Sequence, residues 1–550
     1  MRIVLTTSFL LFTLILGKAQ NSIAPDLIMR LDRIATQDVP EKAPGIATAI
    51  IQNGRVIYKK CAGYADFTDS SLITNTTRFN IASNGKQFTA LAILSLIEKN
   101  KLNLTDDIRK YFPSLYKGIS DKITIQSLLN HTSGIRDCYD LWSLQGITWW
   151  EKSFSNEDVL KLLEKQTELN FKPDTQFLYS NTNYILLALL IEKVSGKPFV
   201  DYTNQLFKQL NMPNTSFESD YTQIRGPIAR SYFNFGTWST YDWIWNVCGD
   251  GNLFSTLEDQ IQWEKILQDG KQGVLSRDLI NSSQHPIPGT SFPNYGFGLE
   301  FGIYKGMDYT FHEGVTGAWK ATVIRFPREK TSMITLTNTG KSIPSMQTRQ
   351  MADVLFGLKN DKEYLVTKPA RIGKYIAEDE LTGTYLTDKD FAFQFEKKDH
   401  RIYLKRIGRN DVELEREADN IFHQKYDPDF KQEFTTDSNG ILKVTAYYVN
   451  HAPYTLVKQI ADFTNFNYHT LNGKYLNAET ETQLEITYNS DSSYSLRIGK
   501  NDHTSNGILI STEKVLVDNY TLNFDPTNSK ITTLYLNGDR IKRVQFTRVD

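Results

Sequence analysis

The chain has 550 residues and carries 62 Lys and Arg against 63 Asp and Glu, a formal net charge of −1. Its length is well beyond the ~250–300 residues at which a single core tends to divide, so two or three domains are expected. The charge balance excludes a global attraction to nucleic acid or an anionic membrane, and 40% hydrophobic with 23% charged residues is the composition of an ordinary soluble globular protein.

Residues 1–19 read as a signal peptide. Arg2 is followed by the apolar run Ile3 to Leu16 and by Gly17-Lys18-Ala19-Gln20, a basic start, an apolar middle and small residues at a cleavage position. The run is shorter than the ~20 residues a bilayer span needs, and no Cys follows it to mark a lipoprotein. The expectation is an exported protein, periplasmic or secreted, that begins near Gln20 and has no transmembrane anchor after cleavage. Cys61, Cys138 and Cys248 stand at unrelated spacings. They form neither a disulfide framework nor a CxxC metal site, and are read as buried thiols.

Between Gly45 and Cys61, two β-rich runs flank Asn53-Gly54, a hairpin signal. Ile81-Ala82-Ser83 then leads into a helix with Phe88, Leu91, Leu94 and Ile97 on one stripe. Further helices are predicted over Ile125–Asn130, Asn156–Lys165 and Tyr184–Val194, the last stopped by Ser195-Gly196. Lys320 to Thr339 gives a second hairpin, and Ser345 to Gly357 a final helix. Hairpins at both ends with helices between predict an α+β domain over residues 20–358, an antiparallel sheet flanked by helices.

Residues 359–380 are polar and read as a linker. Beyond it, short alternating runs rich in Tyr, Phe, Thr, Val and Ile replace the helical periodicity. This half repeats. Leu381-Thr-Gly-Thr-Tyr-Leu386 returns as Leu471-Asn-Gly-Lys-Tyr-Leu476, and the closing segments Gly440–Lys458 and Ser529–Val549 also match. Two all-β units, 381–465 and 466–550, are expected to close as small barrels.

The chemistry-bearing residues lie in three short stretches. Ser83 and Lys86 form an S-x-x-K pair at the start of an apolar helix, where i, i+3 spacing puts both side chains on one face. The Lys is then able to take the hydroxyl proton or to hold the base that does so. Two other pairs, Ser114/Lys117 and Ser511/Lys514, open no such helix. Tyr179-Ser180-Asn181 follows a turn-rich approach; a phenol with an ordinary pKa near ~10 is a poor base unless a cation lowers it, which a neighbouring Lys86 would do. Asn181 is placed to bond the Lys and a substrate carbonyl. His312-Glu313-Gly314 is the single H-x-G in the chain, and Gly314 would let substrate approach the backbone closely. His131-Thr132-Ser133-Gly134 reads as a structural turn after a helix. The aromatic stretch Tyr232–Trp245 reads either as an apolar substrate wall or as core.

Together these triplets resemble the penicillin-recognising serine hydrolases, the superfamily of class C β-lactamases, D,D-carboxypeptidases, D-aminopeptidases and related esterases. Ile123–Ile135 and Gly249–Trp263 resemble further landmarks of that superfamily in the expected order. The resemblance implies Ser83 as nucleophile, Lys86 and Tyr179 sharing proton transfer, and Asn181 positioning substrate. It implies that His312 orients the Tyr and binds the substrate's polar end, and that the N–H groups of Ser83 and Val315, beside Gly314, form an oxyanion hole. No cofactor or metal is implied. His312 stands where β-lactamases usually have Lys, which points to peptidase or esterase activity. Together with the two barrels it looks like the D-aminopeptidases. The expected partner is a small-molecule or short-peptide substrate, with cell-wall fragments among the candidates. A true β-lactamase, or a slowly acylated binding or sensor protein, stays open as an alternative.

Overall fold

The computed structural model describes residues 24–148, 150–269, 275–358, 375–405, 411–448, 451–460, 462–490, 492–500, 503–527 and 530–550. The segment read as a signal peptide lies outside these residues up to Asn21-Ser22-Ile23, and so does the linker from 359 to 374.

Strands β1 (Ile46–Gln52) and β2 (Arg55–Ala62) form the first hairpin. Its turn holds Asn53 and Gly54 at φ of 49° and 72°, the left-handed geometry that makes Asn-Gly a hairpin signal. Four later strands, β3 (Glu300–Tyr304), β4 (Met307–Thr316), β5 (Trp319–Phe326) and β6 (Thr331–Thr337), complete an antiparallel sheet in the order β3-β4-β5-β6-β1-β2. Ile46 pairs with Thr337 and Gln52 with Thr331, so the two ends of the domain meet at the sheet's centre.

Period-two alternation sends sheet residues into two cores. Ile50, Phe311, Ile324 and Met333 pack against the helices Pro25–Thr36 and Pro344–Phe356. Ala49, Ile51, Val323 and Ile334 face the opposite side, against the helices Lys86–Glu98, Asn181–Ser195 and Leu257–Asp269. The helix Lys86–Glu98 departs from the single apolar stripe expected of it. Every residue from Lys86 to Leu96 is buried, including Thr89 and Ser95, whereas Ile97 is only half-buried. It is a central helix with other elements on all sides, so it has no solvent face. The helices expected around residues 125, 156 and 184 run over Ile125–Leu129, Asn156–Glu164 and Asn181–Ser195. The last starts three residues early because its first turn, Asn181-Thr182-Asn183, is buried polar chain that hydrophobic periodicity does not register; it ends at Gly196 with φ 70°.

Two closed eight-stranded antiparallel barrels follow, with strands from Gly383 to Lys458 and from Gly473 to Arg548. The repeated Leu–Tyr signature has one physical meaning in both. Tyr385 donates to the Leu381 carbonyl at 2.9 Å and Tyr475 to the Leu471 carbonyl at 2.9 Å, each phenol capping a buried turn at the barrel entrance. The first barrel has its own core, built on Phe395, Phe434 and Leu456. The second barrel's core, with Leu484, Leu534 and Phe546, is continuous with that of the hydrolase-like domain.

Each barrel is docked through a buried arginine of the first domain. Arg136 reaches Glu479 of the second barrel at 2.6 Å and donates to the carbonyls of Lys542 and Arg543. Arg349 reaches Asp429 of the first barrel at 3.2 Å. Among the described residues no helix is long and apolar enough to cross a membrane, and the three cysteines are free.

Candidate active site

Ser83 sits in the 3₁₀ turn Ala82–Gly85, which runs straight into the helix beginning at Lys86. The turn is strained. Ala82 has φ 48°, and its N–H is taken by the Asn80 side chain at 2.9 Å. A non-glycine residue in this region is sparsely populated and persists only where its surroundings over-determine it. β4 crosses directly over the turn. A Cβ on Gly314 would lie 2.2 Å from the Ile81 carbonyl oxygen and 3.1 Å from the Ser83 nitrogen. Gly314 is therefore required by the close approach of this strand to the turn bearing Ser83, rather than by the approach of substrate as the sequence suggested.

Lys86 is completely buried. Its ammonium donates to Ser83 Oγ at 3.0 Å, to Asn181 Oδ1 at 3.0 Å and to the Asp250 carbonyl at 2.6 Å. Burial depresses its pKa to about 8, partly opposed by the Asp250 carboxylate. A lysine so placed has a substantial neutral fraction near physiological pH, which a proton acceptor needs. Asn181 is fixed at both ends: Oδ1 accepts from Lys86, while its backbone N–H and Nδ2 donate to Asp137 Oδ2 at 2.7 and 3.0 Å.

Tyr179 lines the same cavity as Ser83, close enough for the two hydroxyls to interact, which brings the second triplet to the nucleophile. The expected electrostatics do not hold, however. Burial pushes the phenol well above its ordinary value, and the Ser83 hydroxyl and the Arg540 cation offset this only in part. Lys86 lies over the ring, 4.9 Å from its centroid, and does not make the phenol acidic. Tyr179 therefore rests protonated.

His312 lines the same cavity but is 2% exposed. Nδ1 is 2.7 Å from the Glu313 carbonyl, which only accepts, so Nδ1 carries the proton and Nε2 accepts from the Tyr295 hydroxyl at 3.1 Å. Burial, and then the nearby Lys86 charge, lower its pKa to about 3. No hydrogen bond joins it to Tyr179 among the described residues; their ring centroids are 6.3 Å apart. His312 thus holds Tyr295, and it is not a cation for the substrate's polar end. Val315 is 63% exposed at the cavity mouth. Past Phe311, the last residue of β4 paired with β3, the strand pairs only with β5 among the described residues.

His131 is no catalytic His–Ser pair. It is buried, accepts from the Ser180 N–H at 3.2 Å through Nδ1, and packs 4.3 Å from the Tyr179 ring. It supports the phenol from behind. The aromatic stretch fits neither reading as a whole: Trp243 and Trp245 line the cavity, joined by Trp142 and Phe154, whereas Tyr232 bonds Asp66 outside it. The other two S-x-x-K pairs are engaged elsewhere. Ser114 bonds Glu164, and Lys514 pairs with Asp390 of the first barrel.

Several residues in or behind the cavity wall escaped the sequence reading. Asp137, fully buried, joins the Asn181 helix start to the rest of the site. Glu300 is pushed to about 8 by burial and by Glu313. Arg540 comes from the second barrel. None has a motif; each is distant in sequence and is placed by topology alone. Among the described residues no cluster of three or more His, Cys, Asp or Glu side chains is arranged to hold a metal ion.

A serine held by a buried lysine, a tyrosine and an asparagine, on the turn before the central helix of such an α+β domain, defines the site of a serine hydrolase of the penicillin-recognising class. Residues 31–358 match the beta-lactamase family, and the chain belongs to it. Protein flp of Staphylococcus aureus (strain N315) is 30% identical over 331 residues, with 57% of this chain and 63% of that protein covered, so the likeness spans less than two thirds of the relative. Penicillin-binding protein 4* of Bacillus subtilis (strain 168) is 27% identical over 396 residues, 66% of this chain and 84% of that one. The octameric penicillin-binding protein homologue from Pyrococcus abyssi shares the fold with a TM-score of 0.57 and 24% identity, over 78% of this chain and 100% of that chain. A D-amino acid amidase from Ochrobactrum anthropi SV3 shares it with a TM-score of 0.51 and 24% identity, over 61% and 99%.

Proposed function

We propose that the protein is an exported enzyme that hydrolyses an amide or ester of a small D-amino-acid peptide, a D-alanyl-D-alanine-like end or a carboxylic ester through an acyl-enzyme at Ser83. The observation that carries this reading is the 3.0 Å bond between Ser83 Oγ and a lysine ammonium sealed from water and depressed to about 8. Neutral Lys86 takes the Ser83 proton as Oγ attacks the carbonyl carbon. The N–H groups of Ser83 and Val315 receive the developing oxyanion. As the C–N or C–O bond breaks, the protonated Tyr179 phenol gives its proton to the leaving group, and the Lys86 ammonium returns one to the phenolate. Water then attacks the ester carbonyl with the same groups acting in reverse, releasing the acid and restoring Ser83.

Family membership and the amidase likeness favour amide or ester cleavage. The near-neutral His312 weighs against a β-lactam carboxylate being held at that position. The test is a screen of the purified protein with nitrocefin, p-nitrophenyl esters and D-aminoacyl p-nitroanilides, with Ser83→Ala beside it. Steady turnover of an ester or anilide that vanishes in the variant is expected. A single burst without turnover would support a sensor instead, and preferential nitrocefin hydrolysis a β-lactamase.

A further inference from the structure

The two barrels end in the same hairpin, but its tip differs. In the first barrel Tyr448 pairs directly with His451. In the second, Asn537 and Val544 bound a six-residue connection, Gly538-Asp-Arg-Ile-Lys-Arg543. This longer tip is fastened to the first domain by its backbone. The Arg540 N–H donates to Asp140 Oδ2 at 2.9 Å, and the Arg540 carbonyl accepts from Asn170 Nδ2 at 3.0 Å and from the Asp137 N–H at 3.3 Å. The Lys542 N–H donates to Asn170 Oδ1 at 2.6 Å. With both sides of Arg540 clamped, its side chain has a defined starting point.

That side chain enters the cavity of about 670 Å³ that also holds Ser83, Tyr179 and Asn181. The guanidinium carbon lies 5.4 Å from the centroid of the Tyr179 ring. Its nearest anions are the Asp137 carboxylate, 3.9 Å from Nη1, and the Asp539 carboxylate, 3.7 Å from Nε. Both are beyond hydrogen-bond distance, and Asp137 is already committed to Asn181. The side chain is 34% exposed. It is therefore a planar cation with open donors, preset at the cavity wall. Lys86 is consumed by Ser83, Asn181 and Asp250, and His312 is neutral, so Arg540 is the accessible positive charge among the cavity-lining residues. Asp250, Glu300 and Glu313 line other parts of the wall, and an anion there would meet them.

We infer that Arg540 of the second barrel is a specificity-determining residue that binds a carboxylate on the substrate, so that the hydrolase domain alone lacks a complete substrate site. This rests on the reading of Ser83 as nucleophile. A guanidinium–carboxylate pair is planar and bidentate, and selects substrates with a carboxylate within reach of the scissile bond.

The test uses two phenylacetyl esters with the same acyl group, one leaving as phenol and the other as 3-hydroxybenzoate, measured on the full chain. The ratio of kcat/KM, carboxylate ester over neutral ester, is compared in wild type, Arg540→Ala and Arg540→Lys. Both substrates report on the same enzyme sample, so a partly unfolded variant does not alter the ratio. The ratio is expected to fall about 10- to 100-fold in Arg540→Ala, mainly through KM, and by less in Arg540→Lys, which keeps a point charge without the fork. A ratio unchanged in Arg540→Ala, whether both rates drop together or neither does, would overturn the inference and leave the arginine a structural prop for the tip. Hydrolysis of either ester that persists in Ser83→Ala would instead sink the nucleophile reading, and the inference with it.

Discussion

The two barrels are built on one repeat and have different relations to the chemistry. The first keeps a separate core and touches the hydrolase domain through Arg349, on the helix Pro344–Phe356, on the sheet face away from Ser83. The second merges its core with that domain, is held by Arg136, and sends a lengthened hairpin tip into the cavity. A duplicated scaffold thus serves as an appendage in one copy and as a wall of the site in the other. The difference resides in a few tip residues and in the surface that each copy meets.

Variants of the full chain measure how far that contrast reaches. Ser83→Ala sets the floor: loss of the nucleophile is expected to lower kcat by at least ~1,000-fold in steady-state ester hydrolysis, with both barrels still folded by circular dichroism. Tyr179→Phe, which keeps the ring against His131 and removes the proton, is expected to cost about 100-fold in kcat. The pH profile comes next. Only neutral Lys86 accepts the Ser83 proton, so kcat/KM on a neutral ester should rise about tenfold per pH unit below a bend near pH 8 and flatten above it. His312, held at about 3, stays neutral throughout and adds no inflection between pH 5 and 7. A bend near 6.5 would assign the proton acceptor to a histidine.

The docking arginines carry the comparison itself. Arg136→Ala leaves Glu479 without its buried partner and removes two of the hydrogen bonds that hold the tip. It is expected to destabilise the protein by roughly 3 kcal/mol in denaturant unfolding and to lower kcat/KM about tenfold, because a loosened tip shifts a cavity wall. Arg349→Ala is expected to destabilise by about 1–3 kcal/mol with kcat/KM within about twofold of wild type. Equal effects of the two variants on kcat/KM would erase the distinction between the barrels.

Much of this was legible in the sequence where local chemistry fixes geometry. Asn53-Gly54 forms its hairpin because left-handed φ suits those residues, and Ser83/Lys86 meet because adjoining helical turns bring i and i+3 together. The Leu–Tyr repeats were readable because each phenol bonds a carbonyl four residues back. What was hidden depends on distance in sequence or on burial. The protonation of Tyr179 follows from desolvation, which a triplet does not reveal. Gly314 was singled out for the wrong neighbour, since only the crossing of β4 over Ile81 shows what approaches it. Arg540 lies 457 residues from Ser83, in a hairpin tip whose destination no local pattern shows.

The most direct test is to find where the acyl group goes. Rapidly mixing the full-length protein with excess p-nitrophenyl ester, quenching in acid within the first turnovers and mapping peptides by mass spectrometry should show one added acyl mass on the peptide containing Ser83, absent in Ser83→Ala. Turnover of the ester with the acyl mass on another residue, or with unabated hydrolysis in Ser83→Ala, would contradict the account.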